Sequence, residues 1–185
     1  IDTKAATERG IAVGHTPGVL TDTTADFAFT LLMAAARRVT EGARYVQEGH
    51  WKTWGPTLLM GYDVYGSTLG LVGSGRIGQA VARRASGFNM RILCYDPFVD
   101  EDVITAFGAE STSLENVLSE SDFVSLHVPL TRETRHMIGA SQFRDMKSTC
   151  VLVNTSRGPV VDTCLLYTSD AADERSSVAL GGRRI

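Results

Sequence analysis

From residue 67 onward the chain alternates between short apolar runs and amphipathic stretches: Leu69-Gly70-Leu71-Val72, then Ile77 to Ala85, then Met90 to Tyr95. A short run that is apolar throughout, without strict alternation, fits a strand buried on both faces. Strands that alternate with helices imply a parallel sheet covered by helices. A weaker stretch, Val103 to Phe107 and Leu114 to Leu118, leads to two further expected strands, Asp122 to Val128 and Thr149 to Asn154, with a short helix near Ser141 to Met146 between them. The expected class is therefore α/β, a doubly wound parallel sheet, and no internal repeat interrupts it.

Upstream of residue 67 the pattern is looser. Lys4 to Arg9 reads as a short amphipathic helix, and Ile11-Ala12-Val13 as a strand ending at the turn Thr16-Pro17-Gly18. Thr23 or Thr24 can cap a helix whose apolar residues Ala25, Phe27, Ala28, Leu31, Leu32 and Ala35 recur at helical spacing, and this helix is expected to continue to about Gln47. Residues 45–66 hold two Trp and three Tyr among several Gly without a regular period. They read as a loop arm with a packed surface, a dimer contact rather than a solvent loop.

A chain of 185 residues that is 43% hydrophobic can bury the core of one globular domain. Its formal net charge of −3, with no Lys/Arg run longer than two, lacks the basic footprint of a nucleic-acid binder. The longest apolar stretch, Ala25 to Ala36, is broken by Asp26 and Thr30 and falls short of the roughly 20 residues that span a bilayer. Cys94, Cys150 and Cys164 are widely spaced, and two lie in apolar runs, so they read as reduced core thiols of a cytoplasmic protein. No metal site is expected. No signal peptide opens the chain, and with no initiator methionine the first residue reads as the middle of a longer protein.

The stretch GLVGSGRIGQAVARR places Gly73, Gly75 and Gly78 in GxGxxG spacing, after a strand and before a helix. The spelling alone would suit a tight turn, but the context gives each glycine a task. The first makes the turn, the second lets the backbone approach a pyrophosphate, and the third lets helix and strand pack closely. The amides of Ser74, Gly75, Arg76 and Ile77 would then face the anion at the positive end of a helix dipole. Eighteen residues past Gly78, at the end of the next strand, stands Asp96. A carboxylate there suits the adenosine ribose hydroxyls and repels a 2′-phosphate, favouring NADH over NADPH, although Asp96-Pro97 is also a turn signal. Loop, helix, strand and acid together point to a Rossmann-like dinucleotide site.

Two more strand ends carry chemistry. His127-Val128-Pro129 ends a strand where a ligand could lie, and His127 reads as a hydrogen-bonded loop residue or a cofactor contact. Arg157 follows the strand Cys150 to Val153 through Asn154-Thr155-Ser156. Its rigid guanidinium fork can grip a planar carboxylate and stabilise negative charge growing on oxygen, or it can make a structural ion pair.

The segments RGIAVGHTPGVLTDTTADFAFTLLMAAARR, DVYGSTLGLVGSGRIGQAVARRASGFNMRILCYDPF, VSLHVPLTRETRHMI and VLVNTSRGPVVD resemble the D-isomer-specific 2-hydroxyacid dehydrogenases, nearest the glyoxylate/hydroxypyruvate reductases. The resemblance covers residues 1 to about 163 and implies a homodimeric NAD(H)-dependent oxidoreductase that reduces a small 2-oxo acid to the 2-hydroxy acid. Its cofactor domain would be inserted in a discontinuous substrate domain. Residues 1–18 would end the first part of that substrate domain, leaving a truncated Rossmann sheet, residues 19–163, beside its remnant. Carried over by position, Arg157 matches the family's catalytic arginine, Thr155 and Ser156 line the nicotinamide and substrate side, and Thr24, Val128 and Pro129 lie near the cofactor. Ser74 stands where leucine or alanine is commoner, a departure of no expected effect because the backbone does the binding.

The family's proton-donor histidine and the glutamate that orients it have no match here, and His127 is not their positional equivalent. The fragment itself is accordingly expected to be nearly inert. A rival on the same scaffold is a non-enzymatic NAD(H)-sensing module of the corepressor type, which fold alone does not exclude. After Asp162-Thr163, which should cap a helix, the text CLLYTSDAADERSSVALGGRRI has no helical period and is expected to supply no sixth strand. Cys164 to Glu174 resembles the in-frame translation of a transposase sequencing adapter, so residues 164–185 are expected to be a non-native tail without function.

Overall fold

The computed structural model describes residues 1–163 and 178–180. Helices α1 (Thr3–Glu8), α2 (Thr21–Ala36) and α3 (Val39–Gln47) precede strand β1 (Thr68–Val72). Then follow α4 (Arg76–Ser86), β2 (Arg91–Tyr95), α5 (Glu101–Ala106), β3 (Glu110–Ser111) and α6 (Leu114–Glu120). Strand β4 (Phe123–Leu126), α7 (Ala140–Asp145), β5 (Val151–Asn154), one 3₁₀ turn (Gly158–Val160) and β6 (Val178–Leu180) complete the order.

The strands form one parallel sheet in the order β3-β2-β1-β4-β5-β6, the doubly wound arrangement. Because successive strand residues face opposite sides, β1, β2, β4 and β5 each feed two cores. Leu69, Leu71, Ile92, Cys94, Phe123, Val151 and Val153 pack under α2 and α4. Val72, Leu93, Val124, Leu126 and Leu152 pack with Val117 and Leu118 of α6 on the other face. Burial on both sides is why these strands read as continuous apolar runs. Cys94 and Cys150 are buried free thiols, each pushed up to about 12 by burial, hence protonated; Cys164 lies outside the described residues.

Four expectations fail, each for a physical reason. Residues 11–13 form no strand: Ile11 and Val13 are exposed, and no neighbouring strand pairs with them among the described residues. Neither Thr23 nor Thr24 caps α2, whose N-cap is Leu20, without a side-chain cap bond. Nor does that helix reach Gln47. It stops at Ala36, where the Ala36 carbonyl accepts from Tyr62 N at 2.8 Å, and Arg38 turns left-handed (φ 52°) before α3 begins. A Cβ at Gly61 would sit 2.2 Å from that same carbonyl, so the arm reaches the helix end only because residue 61 is glycine. Finally, Val178–Leu180 do supply a sixth strand, with Leu152 opposite Val178 and Asn154 opposite Leu180. The rest of the stretch read as a non-native tail, and the helix expected after Asp162 except Thr163 itself, lie outside the described residues.

Candidate functional site

The sheet order reverses between β1 and β4, and the loops leaving their carboxyl ends meet there. Gly73 N donates to Tyr95 O at 2.9 Å and His127 N to Val72 O at 2.8 Å, which ties the ends of β2, β1 and β4 together. Gly73 has φ +100°, and a Cβ on it would lie 2.8 Å from His127 O and 3.1 Å from Val128 Cγ1. Gly78 is equally constrained, since its Cβ would lie 2.3 Å from Gly73 O. The third glycine thus lets the helix sit on the loop itself rather than on the strand.

Gly75 differs from both. Its backbone (φ −62°, ψ −177°) suits any residue, and a Cβ there would meet nothing within 4 Å. Nothing among the described residues demands glycine at this position, and the missing side chain leaves open space in front of the helix. Gly75 is also the N-cap of α4, without a side-chain cap bond, so the amides of Arg76, Ile77 and Gly78 open the helix with no carbonyl four residues back inside it. The site therefore fits an anionic phosphate bridge, for which open space and unpaired helix N-terminal donors are the requirements.

Ser74 departs from expectation. It is buried, and its amide and hydroxyl both donate to Asp96 Oδ2, at 2.8 and 2.9 Å. Its amide therefore does not face an anion, and its side chain, expected to be without effect, engages the acid of the site. Asp96, half-buried just past β2, accepts a third bond at Oδ1 from Phe98 N at 3.1 Å. Gln79 Nε2 donates to Ser74 O at 2.9 Å and fixes the loop from the helix side. Arg76 is exposed, with Nη1 3.7 Å from the Cβ position of Gly18, and Ile77 is half-buried.

On the β4 side, Val128 is half-buried and Pro129 exposed. The His127 ring shares a 2.9 Å hydrogen bond with Ser125 Oγ, and burial pushes its pKa down to about 4, so the imidazole is neutral at neutral pH. One strand further, Asn154 organises the next loop. This buried side chain accepts from Ser156 N at 3.0 Å and Ser156 Oγ at 2.8 Å, and donates to Arg157 O at 2.9 Å. Sequence reasoning passed over Asn154; the signal available was an asparagine at a strand end with polar residues two and three ahead, the setting of an Asx turn.

Arg157 is exposed, and its Nη1 donates to Ser156 O at 2.8 Å. Among the described residues it has no carboxylate partner, so the alternative of a structural ion pair is not realised there. Thr155 Oγ1 is buried without a hydrogen-bond partner among the described residues. Thr24, half-buried on α2, comes from a helix packed on α4 and β5 rather than from a strand end. Asp96, the glycine loop, Val128-Pro129 and Thr155–Arg157 thus follow the ends of four adjacent strands, a row roughly 15 Å long at normal strand spacing.

The family model described as "D-isomer specific 2-hydroxyacid dehydrogenase, NAD binding domain" matches residues 29–180. Glyoxylate reductase of Korarchaeum cryptofilum is 67% identical over 168 residues, which are 90% of this chain and 51% of that protein. The crystal structure of TT0316 protein from Thermus thermophilus aligns with TM-score 0.88 and 46% identity over 97% of this chain and 57% of that one. D-lactate dehydrogenase from Aquifex aeolicus, crystallised with NAD and lactic acid, aligns with TM-score 0.84 and 35% identity over 97% of this chain and 53% of its own. The chain spans about half the length of the curated relatives it matches. A match running from α2 to the last strand, on a sheet wound in this order, means that the chain belongs to the D-isomer specific 2-hydroxyacid dehydrogenases and carries their NAD binding domain.

Proposed function

We propose that this chain binds NADH in preference to NADPH, and that the whole protein to which it corresponds reduces a small 2-oxo acid, glyoxylate or hydroxypyruvate. The observation that carries the proposal is the open space at Gly75, a glycine that neither backbone nor packing requires, at the start of an uncapped helix. Arg76, Ile77 and Gly78 offer amides to the pyrophosphate, Asp96 accepts from the adenosine ribose, and Val128 and Pro129 border the cofactor. Thr155 and Ser156 lie on the nicotinamide side, with Thr24 of α2 as a further contact. Bound there, the nicotinamide supplies the hydride. Arg157, without a carboxylate partner among the described residues, grips the carboxylate of the acid and stabilises charge on its carbonyl oxygen.

That a glyoxylate reductase is 67% identical to this chain supports the choice of substrate class. The chain by itself turns over little, because it has no match to the acid that would protonate the developing alkoxide. Exposed Trp51, Trp54, Met60 and Tyr65 on the arm favour a homodimer, and buried free thiols favour a reducing compartment such as the cytoplasm. Residues 164–185 are proposed to take no part in cofactor binding.

Titrating the chain with NADH and following nucleotide fluorescence tests the reading. Saturable binding is expected, with Gly75→Val abolishing it while the melting temperature stays within a few degrees. Absent binding, or undiminished binding by Gly75→Val, is the result that counts against it.

A further inference from the structure

The Ser74 hydroxyl has no part in tracing the glycine loop. That path is already held by three bonds any residue at position 74 would keep: Gly73 N to Tyr95 O at 2.9 Å, Ser74 N to Asp96 Oδ2 at 2.8 Å, and Gln79 Nε2 to Ser74 O at 2.9 Å. What the hydroxyl adds is a second donor on the same oxygen, Asp96 Oδ2, at 2.9 Å. An ionised carboxylate offers about four acceptor positions, two per oxygen. Two on Oδ2 are filled by Ser74, and one on Oδ1 is filled by Phe98 N at 3.1 Å. One remains, on Oδ1, beside exposed Pro97 and Phe98.

Resting on the cofactor reading above, we propose that Ser74 is a positioning and specificity residue: its hydroxyl locks the rotation of the Asp96 carboxylate so that the free acceptor on Oδ1 meets a ribose hydroxyl and opposes a 2′-phosphate. A hydroxyl can donate to that oxygen. A phosphate brings negative charge and no donor against an acceptor that cannot swing away. With alanine at 74 the carboxylate keeps one backbone donor on each oxygen, the residue-74 amide on Oδ2 and Phe98 N on Oδ1, but loses its third bond and turns more readily, so the diol meets a less well prepared partner while the phosphate meets less opposition.

Affinities of the full chain for NADH and NADPH, measured for wild type, Ser74→Ala, Asp96→Ala and the double variant, test this. Ser74→Ala is expected to weaken NADH roughly three- to tenfold, the scale of one ordinary hydrogen bond because the effect reaches the nucleotide only through the carboxylate, and to leave NADPH unchanged or tighter. In the Asp96→Ala background, which leaves the hydroxyl no side-chain acceptor at 96, the same substitution should leave the NADH affinity unchanged, because the hydroxyl acts only through the carboxylate. A loss shared equally by both nucleotides, or no loss, overturns the proposal, as does an undiminished effect of Ser74→Ala without Asp96. Should Ser74→Ala not melt cooperatively, Ser74→Cys keeps the shape with a weak donor and gives the same comparison. Wild type that binds no NADH overturns the cofactor reading as well, and is told apart by being seen before any substitution.

Discussion

Gly75, the N-cap of α4, and Gly78, in that helix's first turn, stand three residues apart, yet their side chains are missing for different reasons. A Cβ at Gly78 falls 2.3 Å from the Gly73 carbonyl, closer than real contacts allow and against backbone rather than a movable side chain. Gly78→Ala must therefore push α4 off the loop, at a cost of about 1–3 kcal/mol. For a chain of this size that lowers the melting temperature by roughly 2–12 °C, whereas Gly75→Ala should leave it nearly unchanged. Equal melting temperatures for the two would contradict the geometry. His127 offers a second residue-level test. Burial holds its pKa near 4 in the folded chain against an ordinary value of 6.5, so between those values the unfolded chain binds the proton more readily. The stabilisation from keeping the ring neutral is complete above about pH 6.5 and disappears as the pH falls to about 4. It amounts to on the order of 3 kcal/mol at most. His127→Asn, measured beside wild type in melts across that range, should narrow the difference in stability between pH 7 and pH 4; parallel curves would show that the ring does not titrate as described.

At the scale of elements, the loop after β5 depends on one side chain. Asn154 makes three hydrogen bonds within residues 154–157, and its removal leaves Ser156 N and Arg157 O without that partner. Asn154→Ala is expected to cost about 1–3 kcal/mol and to speed hydrogen exchange at the Ser156 amide; unchanged exchange there would mean that the loop holds itself without Asn154. What could be read in advance divides along the same line between local and distant causes. Strands β1, β2, β4 and β5 were legible because burial on both faces writes a continuous apolar run into the chain. The glycine loop was legible because its demands are local. Strand β3 was not, since Glu110 and Ser111 are exposed polar residues that pair only at the sheet margin. The break between α2 and α3 was hidden for a different reason: its cause is Tyr62 N reaching the Ala36 carbonyl from 26 residues along the chain, through a gap left by Gly61. The bond from Ser74 Oγ to Asp96 was invisible because sequence spacing places an acid near the loop without saying which donors it faces.

On the scale of the whole molecule, the far edge of the sheet is where sequence and structure diverge. Residues 164–185 read as a tail foreign to the fold, yet Val178–Leu180 lie parallel to β5 as the outermost strand. The two are physically compatible: an open strand edge presents unpaired amides and carbonyls, and a short apolar segment can pair with it without belonging to the site. The row of strand ends that carries Asp96, the glycine loop and Arg157 runs from β2 to β5 and does not include β6. Ending the chain after Thr163 removes the few ladder bonds that β6 makes, each worth about 0.5–1.5 kcal/mol, and bares the β5 edge. The shortened chain is therefore expected to melt several degrees lower and to self-associate more readily, while its NADH affinity stays within about twofold of the full chain's. Calorimetric melts and the same fluorescence titration measure both quantities. A large loss of NADH affinity on truncation would place the edge strand inside the functional unit and exclude the reading of residues 164–185 as a tail without function.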